Sequence, residues 1–402
     1  MNSKERVEKS LKHEEPDRIP IGEIEINSKQ ATEILKREAF VGIGGNYFVK
    51  QRAEMLISGE IENYAKNTGI DSVELCTGLD IDFYRIWPNQ YKGSIIPEEV
   101  RENVWRYTDN ELNYWEEIQY SPQSNAWGLT NDSIMNRGGI EEFERYVKRL
   151  ENATELSIGL SFYQMAVSKA IDQKEFIALK TALSHSKGQE VFIVGNARIP
   201  FPGSAKWLPV YFEAMLIKPN LLKRYCDILS EVWLKYIEKQ LEIGACGIVD
   251  GMDIAYNNGL LISPECFKKF ILPYLKKYSA KCHEYNKPFI KHTDGNIMSV
   301  EKEFLLDSGI DGYHAIEPLA GMDIFYLKEK YGKNITLLGN VDCSELLISG
   351  ARKEIEDNVK KLVTNCKNGG GYILSSSNSI HDGISLENYK VMINAGKEYG
   401  KY

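Results

Sequence analysis

From about residue 219 onward, short runs rich in β-forming residues alternate with helical patterns, and this alternation constrains the fold more than any other feature of the chain. The runs lie at 246–249, 288–291, 312–316, 335–338 and 372–374, short and apolar enough to be buried parallel strands. Between them, Leu221, Leu222, Tyr225, Ile228, Leu229, Val232, Trp233, Tyr236, Ile237 and Leu241 recur at three- and four-residue spacing, a long amphipathic helix that Gly244 stops. Ser263 and Pro264 open the next helix as N-cap and first helical residue. Three further strand candidates lie upstream at 19–24, 71–75 and 190–194, and eight strands with intervening helices close a (β/α)8 TIM barrel of the α/β class. An open doubly wound sheet is the rival. No Gly-rich dinucleotide loop follows a strand, and polar residues gather at one end of every readable strand, which favours the barrel. Residues 76–185, with Trp87, Trp105, Trp115 and Trp127, are expected to form a helical and loop insertion over the barrel mouth. No linker, repeat or low-complexity tract separates it, so a single domain over residues 1–402 is expected.

Composition narrows the class of partner. A net charge of −8 with acidic and basic residues interleaved offers no basic stripe to a phosphate backbone, which argues against nucleic acid and for a small molecule or another protein. Apolar stretches break within about ten residues, against the roughly 20 a membrane span needs, and the N-terminus lacks a signal-peptide core. A cytoplasmic protein is expected. Seven cysteines, an odd number with no C-x-x-C pair, read as reduced structural thiols.

The chemistry is expected where the strands end. The residues there are Asp250 and Asp253; His292 and Asp294; His314 and Glu317; Asn340 and Asp342; then residues 375–378 and His381. A strand that is apolar along its length and ends in His, Asp, Glu or Asn delivers ionisable groups to one mouth. His292 and Asp294 are two apart on an extended segment, so both side chains point one way and can share a proton or a metal ion, zinc among them. The bland alternative makes Asp294, Gly295 and Asn296 a turn, and Asp250 and Asp253 a loop closing on itself. Glu317 is either a proton acceptor or a brace for its loop, and His381 lies in the loop after the last strand. His292, Asp294 and Glu317 are the candidate catalytic residues; Asp250, Asp253, His314, Asn340, Asn378 and His381 the candidate substrate contacts. Tyr84, Trp87, Tyr107, Trp115 and Tyr120 either line a pocket for an aromatic ether or are core. His13, His185 and His283 read as structural, and the glycines at 369–371 as a helix C-cap.

Several segments together carry a family resemblance: residues 4–7 (KERV) with 11–20 (LKHEEPDRIP), 262–267 (ISPECF), 292–296 (HTDGN), 309–312 (GIDG) with 316–318 (IEP), and 369–374 (GGGYIL) with Glu387 and Asn388. The chain resembles the uroporphyrinogen decarboxylase superfamily, whose fold is a (β/α)8 barrel, and within it the corrinoid-dependent methyltransferase-like branch. The decarboxylase's Arg-bearing segment after the first strand, which binds propionates, is matched by residues 22–27 (GEIEIN), where Glu23 and Glu25 would repel an anionic tetrapyrrole. Its late histidine aligns with Asn378. Family members acting on coenzyme M hold zinc through a His-x-Cys pair and a later Cys, at positions that read His292, Asp294 and Asn378 here. The resemblance therefore implies a methyltransferase of the O-demethylase kind, moving a methyl group from a small donor to the cobalt of a corrinoid (cobalamin) on a partner protein. The competing expectations are a decarboxylase and a non-catalytic barrel that binds a tetrapyrrole or corrinoid.

Overall fold

The computed structural model describes residues 1–86, 95–153, 173–188, 190–203 and 205–402. Its strands, in chain order, are β1 (Gly22–Glu23), β2 (Phe83–Arg85), β3 (Glu98–Arg101), β4 (Val104–Asp109), β5 (Tyr114–Ser121), β6 (Ala126–Asp132), β7 (Phe192–Ala197), β8 (Ile248–Asp250), β9 (Ala255–Tyr256), β10 (Gly259–Leu260), β11 (Phe289–Thr293), β12 (Gly312–Ala315), β13 (Thr336–Val341) and β14 (Tyr372–Ser376). Eight of them form one parallel sheet in the order β1-β2-β7-β8-β11-β12-β13-β14. Parallel bridges from Ile21 to Leu374 and from Ile26 to Ile380 bring the last strand back to the first, so the TIM barrel is nearly closed.

Residues two apart on a strand share a face, and the barrel interior is layered accordingly. Phe83, Phe192, Val194, Val249, Ile290, Leu338 and Ile373 cluster with Ile24 and with Val7 of the N-terminal helix Ser3–Leu11. That apolar layer fills the barrel, each large side chain contributing about 1.5–3 kcal/mol on burial. Two residues further along the same strands come Arg85, Asn196, His292, Asn340 and Ser375, and on β12 His314 follows Gly312 in the same way. Each of these strands thus passes from an apolar plug, or the glycine that leaves room for it, to a polar mouth.

Two expectations are corrected. The segment 71–75 is helical, not a strand: Ile61, Tyr64, Ala65, Thr68, Ser72, Leu75, Cys76 and Leu79 are the buried side of the helix Ile61–Leu79, at three- and four-residue spacing. The second barrel strand is instead β2, whose three residues are too few to show a period. The insertion carries the helices Ile140–Asn152 and Ile177–His185, but also an antiparallel sheet, β3-β4-β5-β6, in place of irregular loop. Aromatic contacts anchor it: Tyr114 meets Tyr146 at 5.1 Å between ring centroids, and Phe143 meets Trp207 and Tyr225 at 5.4 and 5.3 Å. Tyr84, Tyr107 and Tyr120 are buried, and Trp115 is covered by the Arg106 guanidinium at 4.6 Å. Trp87 lies outside the described residues. Among the described residues no helix is long and apolar enough to cross a membrane.

Buried carboxyl groups secure the joint between β1, β2 and β14. Below, Asp82 accepts from Arg6 Nη1 and Arg18 Nη1, both at 2.6 Å, from Ser3 Oγ at 2.7 Å and from the Ile21 N–H at 2.9 Å. This gives Arg18, in the LKHEEPDRIP segment, a structural task. Above, Glu23 accepts from the Ser376 N–H at 3.1 Å, Ser376 Oγ at 2.7 Å and Ser375 Oγ at 3.2 Å. Burial pushes its carboxyl up to about 8, against the pull of those hydrogen bonds.

Replacing Asp82 by Ala leaves two guanidinium groups without their shared partner and should cost about 3–5 kcal/mol in urea unfolding, whereas an intact midpoint would show that Asp82 does not hold the joint. For Glu23 the sign follows from its raised value. Between the ordinary 4.5 and about 8 the folded chain holds a proton that the unfolded chain has released. Stability therefore falls as pH rises through that window, by at most about 1.4 kcal/mol per unit. Glu23→Gln should unfold with a flatter pH dependence between pH 5.5 and 8.5 than wild type; equal slopes would show that Glu23 ionises normally.

Candidate active site and metal centre at the barrel mouth

The centre of the mouth is built by β11 and β12. Their parallel register sets His292 beside His314, and the two Nδ1 atoms lie 2.8 Å apart. On its far side, His314 Nε2 lies 3.1 Å from Ser375 Oγ and 3.2 Å from the Ser376 carbonyl oxygen. His292 Nε2 faces outward, 3.5 Å from Asp253 Oδ1 and 3.7 Å from Asp294 Oδ1. Asp253, His292 and Asp294 each offer one ligand atom, all within 4.8 Å of one another.

Electrostatics set these residues apart. Burial pushes the Asp294 carboxyl well above the usual carboxylate range, and the neighbouring Asp253 and Glu317 charges push it further. Asp253 is raised too, first by burial: 38% of its side chain touches solvent, but it lies deep in the mouth. His292 is held well below the ordinary imidazole value by burial, then by His314, Arg85 and Lys291. His314, fully buried, falls to about 3 for the same first reason, with Arg85 adding to it. Both rings are therefore held in their neutral form, and ionisation of the carboxyl pair is disfavoured.

The surrounding residues orient this cluster. Asn378 Nδ2 donates to Asp294 Oδ2 at 2.5 Å, while the buried Asp294 Oδ1 has no hydrogen-bond partner among the described residues. The Asp294 N–H donates to Asp253 Oδ1 at 3.0 Å. Glu317 Oε2 accepts from the Gly295 N–H at 2.8 Å, tying it to the loop after β11, and Asn340 Nδ2 holds the Ile316 carbonyl at 2.9 Å.

Two candidate residues stand apart from the cluster. Asp250 is on the opposite face of β8, fully buried, paired with Lys291 Nζ at 2.5 Å and accepting from the Ile199 and Met252 N–H groups. His381 engages the Cys343 carbonyl at 2.9 Å through Nε2 and the Gly383 N–H at 3.1 Å through Nδ1, so its ring ties the loop after β14 to the loop after β13. The sequence reading did not find Lys291 or the backing of His314 by Ser375 and Glu23. The available signals were a lysine inside an apolar run and an acid, Glu23, inside another.

The arrangement suits either of two small charges: a proton shared by Asp253 and Asp294, or a cation held by Asp253, His292 and Asp294. An unpartnered buried carboxylate oxygen beside an imidazole nitrogen fits a cation. It does not fit a thiolate zinc site, since no cysteine belongs to the cluster.

A family model described as Uroporphyrinogen decarboxylase (URO-D) matches residues 179–399, more than half of the chain. Among curated relatives, a uroporphyrinogen decarboxylase of Actinobacillus succinogenes is 26% identical over 203 residues, 50% of this chain and 54% of its own length. The methylcobamide:CoM methyltransferase MtaA of Methanosarcina barkeri is 25% identical over 214 residues, 53% of this chain and 60% of its own. The chain thus spans little more than half the length of these two relatives. A solved methyltransferase from Methanosarcina mazei aligns over 99% of both chains with a TM-score of 0.66 at 18% identity, a shared fold. By the match of its C-terminal half, the chain belongs to the uroporphyrinogen decarboxylase (URO-D) family.

Proposed function

We propose that this protein is a methyltransferase that moves a methyl group from a small oxygen-bound donor, such as a methoxylated aromatic, to the cobalt of a corrinoid (cobalamin) on a partner protein. The observation that carries the reading is the cluster of one imidazole nitrogen and two carboxyl groups at the barrel mouth, free of thiolates. As the methyl leaves, negative charge grows on the donor oxygen, and a group that neutralises it lowers the barrier. Asp294 serves as the acid: its ionisation is disfavoured by burial, Asp253 and Glu317, so it keeps a proton to give. His292, neutral, orients the carboxyl pair rather than donating. Held by Asp253, His292 and Asp294, a divalent cation would supply the same neutralisation as a Lewis acid. Decarboxylation of an anionic tetrapyrrole is the weaker reading, because Arg85 on β2, beside the first strand, is already paired with Glu25 at 3.0 Å.

Mixed with cob(I)alamin and a panel of methoxylated aromatics, the protein should produce methylcob(III)alamin, followed by absorbance. Asp294→Ala and His292→Ala should slow it by about 100-fold or more with circular dichroism unchanged. Silence across the panel together with coproporphyrinogen formed from uroporphyrinogen would establish the decarboxylase instead. Cation binding has its own signature. Zn2+ must displace the proton kept by the carboxyl pair, so its calorimetric binding heat at pH 7 should vary with the buffer's ionisation enthalpy, and much less so in Asp294→Asn. A buffer-independent heat in wild type would show the pair to be already ionised.

A further inference from the structure

We propose that His314 is a positioning residue which, backed by Ser375, Ser376 and Glu23, fixes the tautomer of His292 so that its bare Nε2 is aimed at Asp253 and Asp294. The inference rests on the cation-binding reading of that cluster. Two ring nitrogens 2.8 Å apart hold one proton between them, so the Nδ1 atoms of His292 and His314 are one donor and one acceptor. Which is which is decided at the far end. His314 Nε2 lies 3.2 Å from the Ser376 carbonyl oxygen, which can only accept, so Nε2 carries a hydrogen. The Ser375 hydroxyl, 3.1 Å from the same nitrogen, has acceptors of its own in Glu23 Oε2 at 3.2 Å and the Ser376 carbonyl at 3.1 Å, so it presents a lone pair to His314. With Nε2 protonated, a neutral His314 has a bare Nδ1. His292 Nδ1 is then the donor, and its Nε2, 3.5 and 3.7 Å from the two carboxylate oxygens, is bare. A lone pair facing two carboxylate oxygens is an arrangement that a cation completes.

The relay is visible without any reaction. In protein labelled with 15N-histidine, long-range proton–nitrogen spectra of the metal-free chain should show His292 protonated at Nδ1 and His314 at Nε2, assigned with His292→Ala and His314→Phe. A hydrogen on His292 Nε2 would overturn the proposal, whatever the variants do. Chelator competition then reads the consequence. His314→Phe should bind Zn2+ about 10- to 100-fold more weakly. His314→Asn, whose amide oxygen stands where Nδ1 stood, should recover most of that affinity, with thermal midpoints confirming that both variants fold. Equal Zn2+ affinity in wild type and His314→Phe would also overturn it. If His292→Ala leaves Zn2+ affinity unchanged, the cation site itself fails, and that outcome is separate from the tautomer recorded on the wild-type chain.

Discussion

The lateral pairing of β11 with β12 is the constraint on which the mouth of the barrel depends. Ile290 lies beside Gly312 and His292 beside His314. A Cβ on Gly312 would approach Ile290 Cγ1 and Leu338 Cδ1 to 3.1 Å, so the glycine leaves the space that the apolar plug fills. A slip of one residue would turn the plug out of the barrel and put Lys291 inside it. On the opposite face Lys291 is paired with Asp250 of β8, its partner across the β8–β11 pair, which locks β11 on its other side. The imidazole contact above is thus set by packing below and an ion pair behind.

Among the buried carboxyl groups two sets contrast. Asp82 meets Arg6 and Arg18, Asp250 meets Lys291, and Glu25 meets Arg85, each a carboxylate whose charge is answered by a cation within about 3 Å. Such pairs hold segments in place, and removing either member leaves the other charge stranded. Asp253 and Asp294 are different: burial and mutual repulsion act on them together, and the group that faces them is a neutral ring. A fold gains nothing in stability from that arrangement, and perturbed groups of this kind in a cleft mark chemistry rather than architecture.

The sequence made much of the C-terminal barrel legible because the helices there are long and amphipathic and each strand is followed by a polar residue. Strands β8, β11, β12, β13 and β14 lie within two or three residues of the runs read from the chain. The N-terminal half was harder for a physical reason. β1 and β2 are two and three residues long, so no period of two can show, while Val73 and Leu75 on either side of Glu74 in the helix Ile61–Leu79 imitate the alternation of a strand. At the site, His292 and Asp294 were legible from their spacing, and Asp253 from its place after a strand. Asp250 was not distinguished from Asp253 in sequence, because the lysine that pairs with it, Lys291, lies on a neighbouring strand. The backing of His314 by Ser375 and Glu23 joins residues 352 apart in the chain, beyond the reach of any local pattern.

The replacement of soft donors by hard ones gives the cluster its direction. Where the resemblance places thiolates in coenzyme M methyltransferases, this chain has Asp294 and Asn378. Asn378 donates to Asp294 Oδ2, which turns the other oxygen, Oδ1, toward His292 and leaves it unpartnered. Asn378 therefore orients Asp294 rather than joining the cluster itself. Thiolates suit a soft metal that activates a thiol; carboxylate oxygens and an imidazole suit a proton or a harder cation. Either of these pairs best with charge developing on oxygen, which is small, strongly solvated in water and costly to leave bare in a buried mouth. The same substitutions that argue against thiol chemistry thus support an oxygen-bound methyl donor.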